Sequence, residues 1–282
     1  MFTWLRNTWK DIRELPTGLA KDRNVLLVMI LTLAPWCILM VRKPDLNDLQ
    51  PLAGFFGFVI LYWLVSRRQS QKPILVKKPR LEIAVALGLV AVWILYRVGE
   101  YWHWYTPPTF GINACAGNGD VLVLKMADMV MIPFIFLLAL KYTLPDLGFG
   151  WSRSAWLIAL VPVSAMIAFG LTHHPLIQFA SSSACFFFDA GLPEEFLFRV
   201  FLQTRLEALI HRPVWALWIA SFIFGLAHVP IDLHGSFTRW PDALLTAFTF
   251  QMSAGIALGY AYRRTRNLLP LSIVHMFIDS AF

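Results

Sequence analysis

The amino-acid sequence predicts an all-α fold: a polytopic transmembrane helical bundle of about eight or nine membrane segments. Composition points there first. Hydrophobic residues fill 58% of the 282 positions and charged ones only 15%, against roughly a quarter in soluble domains. The mean hydropathy of +0.61 leaves more apolar surface than a soluble core can bury. Apolar runs then recur along the whole chain, divided by charged or Pro/Gly-rich breaks. Finally, Lys and Arg alternate in density from one break to the next, as they do in membrane proteins.

In chain order the runs are 25–41, 51–66, 81–97, 121–141, 154–171, 176–210, 213–229, 241–262 and 268–282. Several are shorter than the ~20 residues that cross a bilayer upright, which tilt or local thinning accommodates. The run 176–210 exceeds one straight crossing, and Ala190-Gly191-Leu192-Pro193 predicts a break in it. Residues 1–24 are basic but lack the early apolar core and small-residue cleavage site of a signal peptide. The connection 98–120, with Tyr101-Trp102-His103-Trp104-Tyr105, Pro107-Pro108 and Gly117-Asn118-Gly119, reads as an outer interfacial loop. No internal repeat or low-complexity tract is visible.

Placing the amino terminus in the cytoplasm puts Arg6, Lys10, Arg13, Lys21 and Arg23 inside, with the cluster Arg67, Arg68, Lys72, Lys77, Lys78 and Arg80. Arg153, Arg212, Arg263, Arg264 and Arg266 follow on that side; Arg42, Lys43, Arg97 and Arg239 fall outside. The positive-inside rule expects that asymmetry, provided 176–210 crosses once. The net charge of +7 therefore reads as topology and not as a nucleic-acid surface. Twelve Trp suit a chain with two membrane interfaces. Cys37 and Cys185 fall in apolar runs and Cys115 in a loop, a pattern that implies no disulfide framework.

Charged and titratable groups inside apolar runs are the informative positions, because a charge in lipid is costly. Glu194 and Glu195 precede Arg199 in the sixth run. On a helix Glu195 and Arg199 share a face and can pair, whereas Glu194 lies about 100° away and is left as a candidate general base. Simple capping of a helix start would need neither two acids nor an intramembrane Arg. His228 follows Phe222-Ile223-Phe224-Gly225 and precedes Pro230, so taken alone it reads as a helix-end dipole partner. His275 and Asp279, four apart in the last run, can meet, with the acid orienting the imidazole. Gly255 and Gly259 form a small-xxx-small surface for close helix packing.

These clusters together resemble the CPBP family: the CAAX prenyl proteases and bacteriocin-processing enzymes of the type II CAAX endopeptidase kind. Glu194-Glu195-Phe-Leu-Phe-Arg199 matches the family's E-E-x-x-x-R, and Phe224-Gly-Leu-Ala-His228 its F-x-x-x-H. His275-Met-Phe-Ile-Asp279 matches H-x-x-x-N with Asp for Asn. The resemblance implies a protease core over 142–282, preceded by amino-terminal membrane helices, 1–141, of unknown role. It implies an intramembrane endopeptidase for membrane-associated or lipidated peptides. Glu194 would activate water; His228, His275 and Asp279 would serve the attacked carbonyl; Glu195, Arg199 and Phe224 would support them. The resemblance fixes no cofactor: His228 and His275 could help to hold a zinc ion, so a glutamate-type and a metal-dependent mechanism both stay open. An ionised Asp cannot donate to an oxyanion as Asn can. Two other readings stand beside this one: a proton- or solute-coupled transporter, for which Lys125 and Asp128 would be markers, and a non-catalytic scaffold relative.

Overall fold

A computed structural model describes residues 22–42, 50–66, 76–106, 115, 119–235 and 239–281. The basic positions 1–21, the cluster Arg67, Arg68 and Lys72, and the Pro107-Pro108 and Gly117-Asn118 breaks lie outside the described residues. The fold is all-α. Its helices are α1 (Arg23–Arg42), α2 (Gln50–Ser66), α3 (Pro79–Tyr101), α4 (Gly119–Ala139), α5 (Arg153–His173), α6 (176–210), α7 (Pro213–Gly235), α8 (Trp240–Thr265) and α9 (Leu268–Ala281). Six of them, α1, α3, α4, α5, α7 and α8, are long and apolar enough to cross a membrane; Gln50–Leu64 and Leu268–Ala281 are shorter apolar helices. Large aliphatic side chains such as Ile38, Val92, Leu95, Leu157, Leu160 and Ile177 stay exposed, as side chains bathed in lipid do.

α6 runs through the predicted break without interruption. Two π-helical stretches, Phe187–Gly191 and Glu195–Gln203, flank Leu192–Glu194. The Leu192 N–H donates five residues back, to the Phe187 carbonyl, and the widened turn takes in Pro193, which has no N–H to give. α4 and α8 widen likewise at Ala127–Met131 and Ala247–Gln251. α7 also continues past the predicted stop, with Pro230 inside it, so His228 stands within a helix and not at its end. Pro193, expected to open a new helix after a break, and Pro230, expected to follow a helix end, are both carried inside continuous helices.

Close approaches set how these rods pack. A Cβ added at Gly191 would run into the Ser272 carbonyl oxygen, so only glycine lets α6 and α9 lie this near. Ser183 Oγ reaches Ser280 Oγ at 3.0 Å across the same seam. The small surface of α8 behaves as its spacing predicts. A Cβ on Gly255 would lie 3.1 Å from Ser221 Cβ of α7, and the Gly259 carbonyl accepts from Gln203 Nε2 of α6 at 2.9 Å. Phe196, Leu197, Phe198, Val200, Phe201 and Leu202 are buried, which makes the middle of α6 the core of the bundle.

Polar bonds tie the first helices to the later ones. Trp36 Nε1 donates to Ser253 Oγ at 3.0 Å, and Trp215 Nε1 to Asn24 Oδ1 at 3.0 Å. Between α4 and α5, the Thr143 hydroxyl and N–H both donate to Asp146, which holds its carboxyl below the ordinary value. Gly148, at φ 83°, then turns the chain so that its carbonyl accepts from Leu268 N at 2.8 Å.

A further tie is a buried ion pair between α3 and α6 that no sequence spacing links. Arg205 Nε lies 2.7 Å from Glu82 Oε2, and both side chains are almost wholly enclosed. Lys78 N and the Tyr142 hydroxyl complete the shell of Glu82 at 2.8 and 2.9 Å. Removing one member of such a pair strands the other charge, typically at about 3–5 kcal/mol. Arg205→Met is therefore expected to lower the thermal midpoint of detergent-purified protein, and adding Glu82→Gln to recover most of the loss. Equal midpoints for the single and double variants would contradict this.

Candidate functional site

Where α4, α6, α7 and α9 meet, the bundle encloses the titratable groups singled out above. Glu194 and Glu195 follow each other on α6 and diverge, as helix geometry requires. Glu195 Oε2 lies 3.2 Å from Arg199 Nε, and both side chains are fully buried. Its other oxygen, Oε1, accepts from His275 Nδ1 at 2.9 Å. A single carboxylate thereby joins α6 to α9.

Glu194 looks the other way. Its Oε2 faces His228 Nε2 at 3.7 Å and His275 Nε2 at 3.8 Å, and this oxygen is buried without a hydrogen-bond partner. Its Oε1 meets Lys125 Nζ of α4 at 2.7 Å. Lys125 also stands 3.8 Å from Asp189 Oδ1 and 5.5 Å from the centre of the Trp93 ring. The residue on which a transport reading leans thus closes on Glu194. Asp128, its companion in that reading, is a separate group whose Oδ2 is buried without a hydrogen-bond partner.

Each imidazole is oriented through Nδ1. His228 Nδ1 donates to the Phe224 carbonyl at 2.8 Å, one turn back, and His275 Nδ1 donates to Glu195. Both rings therefore present Nε2 to Glu194, as acceptor when neutral and donor when protonated. Phe224 packs between them: its ring centre lies 4.6 Å from the His228 ring and 6.2 Å from the His275 ring, and the Arg199 guanidinium sits 4.7 Å over it. Asp279 Oδ2 comes to 3.6 Å from His275 Nε2. The spacing makes Asp279 a candidate for orienting His275; the structure gives the Nδ1 bond to Glu195 instead.

Zinc is the metal that two imidazoles and a carboxylate would take. Among the described residues no three His, Cys, Asp or Glu groups are placed to hold a metal ion. The Lys125 ammonium already lies against the Glu194 carboxylate. The donor set of His228, His275 and Glu194 does not fit a metal centre.

Two features lie beyond the residues singled out above: the first has no signal in the sequence, and the second is a carboxylate in an apolar run, a signal of the kind Lys125 gives. Cys115 and Cys185 form a disulfide across 70 residues, although their positions imply no framework. The bridge ties the segment before α4 to α6, and both cysteines line a cleft of about 390 Å³ with Ser181, Ser182 and Asp189. Asp189 is the second: through Lys125 it connects that cleft to Glu194.

The Glu–His cluster is carried by α6, α7 and α9, the helices on which the three motifs lie. Residues 176–281 match the family described as Type II CAAX prenyl endopeptidase Rce1-like. The matched segment holds Glu194, Glu195, Arg199, Phe224, His228, His275 and Asp279; Lys125 and Trp93 stand outside it. Comparison with curated proteins and with solved structures returned no match.

The chain has three cysteines, of which Cys37 is free and exposed. In SDS without reductant a maleimide should therefore add one label per chain, and after reduction three. Three labels before reduction would refute the Cys115–Cys185 bond.

Proposed function

We propose that the chain is an intramembrane endopeptidase that hydrolyses peptide bonds of membrane-associated or lipidated peptides by a glutamate-activated water. One observation carries the reading: Glu194 Oε2 faces the Nε2 atoms of His228 and His275 at 3.7 and 3.8 Å, on helices of the family-matched segment. Atoms so spaced can share one water at hydrogen-bond distance, which is the reach general-base catalysis demands.

In this mechanism Glu194 takes a proton from the water as its oxygen bonds to the carbonyl carbon. The carbonyl becomes an oxyanion, met by Nε2–H of a protonated imidazole. His275 suits that role, since Glu195 holds its Nδ1 and is itself held by Arg199. Collapse of the intermediate breaks the C–N bond, and the proton on Glu194 passes to the departing amine. Asp279, beside His275 Nε2, supports the protonated ring where the family pattern has an amide. No metal takes part in these steps.

The same reading covers topology. Eight or nine of the helices would cross a bacterial plasma or inner membrane, with the amino terminus in the cytoplasm. Disulfides persist in oxidising compartments, so the Cys115–Cys185 bridge supports placing the amino-terminal ends of α4 and α6 on the far side. That is where the outer Arg97 and Arg239 also fall.

Cleavage of a farnesylated CAAX peptide and of an unmodified membrane-spanning peptide in proteoliposomes tests the proposal. Glu194→Gln is expected to lower kcat on the cleaved substrate by about 10²–10⁴-fold, the usual worth of a general base. His275→Ala should lose about 10²–10³-fold. Wild-type cleavage by Glu194→Gln would sink the mechanism.

Asp279→Asn restores the family amide and a donor toward the oxyanion. It should keep kcat within about tenfold of wild type, while Asp279→Leu should fall further, by about 10²-fold. Equal kcat for the two variants would remove Asp279 from the site.

A further inference from the structure

Two buried carboxylates of this bundle each meet a basic side chain, and the two pairs are built differently. Glu82 has both oxygens engaged: Oε2 by Arg205, Oε1 by Lys78 N, and both by the Tyr142 hydroxyl at 2.9 and 3.0 Å. That is how a pair made for stability is satisfied in a low-dielectric interior. Glu194 is engaged on one side only. Lys125 holds Oε1 at 2.7 Å, while Oε2, equally buried, is turned without a hydrogen-bond partner toward two imidazole nitrogens.

Lys125 is built into this position. Its side chain is only 7% exposed, it stands over the Trp93 ring of α3, and Asp189 flanks it at 3.8 Å. An ammonium in the apolar interior is expensive unless a negative charge meets it, and here Glu194 does. Lys125 also enters from α4, outside the family-matched residues 176–281.

We infer that Lys125 is a positioning residue for the hydrolytic site, clamping Glu194 by Oε1 so that Oε2 alone faces the substrate water and the two imidazoles. The inference rests on the endopeptidase reading above. It also gives the amino-terminal helices a part in the chemistry, because α4 completes a site whose other groups lie on α6, α7 and α9. A carboxylate free to rotate about its terminal torsion would present either oxygen, and a misplacement of about 1 Å costs on the order of 10²-fold in rate. The clamp removes that freedom before substrate arrives.

The test uses the full chain in proteoliposomes with whichever of the two peptides the wild type cleaves. Lys125→Met is expected to lower kcat by about 10²-fold while KM stays within about threefold, because the clamp acts on the reacting group and not on substrate affinity. Lys125→Arg, which keeps the charge, should recover kcat to within about tenfold of wild type. Lys125→Gln keeps a neutral donor and serves if the methionine variant does not fold; its kcat should fall at least about tenfold. Unchanged kcat in Lys125→Met or Lys125→Gln overturns the inference, and so does a loss confined to KM or an arginine variant no better than the neutral ones. Glu194→Gln run alongside separates the two ideas. If it cleaves normally the endopeptidase reading falls; if it is dead while Lys125→Met is normal, only the clamp falls. Thermal midpoints add a readout independent of cleavage. Lys125→Met/Glu194→Gln should be more stable than Lys125→Met alone, and equal midpoints would show that the two side chains are not coupled.

Discussion

The bond between His275 Nδ1 and Glu195 Oε1 is the constraint on which the rest of the site depends. It spans the seam where Gly191 lets α6 and α9 approach, and it sets which nitrogen of His275 faces inward. Glu195 can accept that bond without being pulled aside because Arg199, one turn further along α6, holds its second oxygen. Three residues in series therefore act as one strut: guanidinium, carboxylate, imidazole. Each is buried, and each would be costly to leave without its neighbour. Breaking any link exposes the others to an interior that cannot solvate them.

The widened turns of α6 belong to the same logic. A regular α-helix repeats its faces every 3.6 residues or so, which limits where consecutive acids can point. Here Glu194 lies in the short α-helical piece between two π-helical stretches, and Glu195 opens the second. Glu194 turns to α4 and α7 while Glu195 turns to α9. Wide turns of this kind accumulate at functional sites in proteins, since they trade regular hydrogen bonding for a choice of side-chain direction. The same turns absorb Pro193.

Much of this is readable in the residues and some of it is not, for reasons that differ by residue. Among the described residues the apolar runs predict the helices to within about four positions, except at the end of α7, which runs on to Gly235, because lipid solvation imposes a composition that irregular chain cannot share. Glu194 and Glu195 can be told apart by helical spacing alone, and the Glu195–Arg199 pair follows from the same spacing. The prolines at 193 and 230 mislead. Local propensity assigns proline a helix boundary, a start at 193 and an end before 230, and only the three-dimensional packing reveals the widened turn or continued helix that accommodates it. Lys125 is visible as an anomaly in an apolar run, yet its partner is on another helix and no periodicity links them. Glu82 with Arg205, and Cys115 with Cys185, are long-range pairs of the same kind. Contacts within a helix leave a trace in sequence; contacts between helices leave none in a single sequence.

The disulfide has a consequence for how the chain is made. Cys115 precedes α4 and Cys185 lies in α6, so on the proposed topology the two sulfurs would meet only if α4 and α5 had carried the chain across the bilayer and back. A nascent chain in which either helix failed to insert would leave the two thiols on opposite sides. On that topology the cross-link would be a covalent record of correct insertion, closed only once α6 has brought Cys185 back to the side of Cys115.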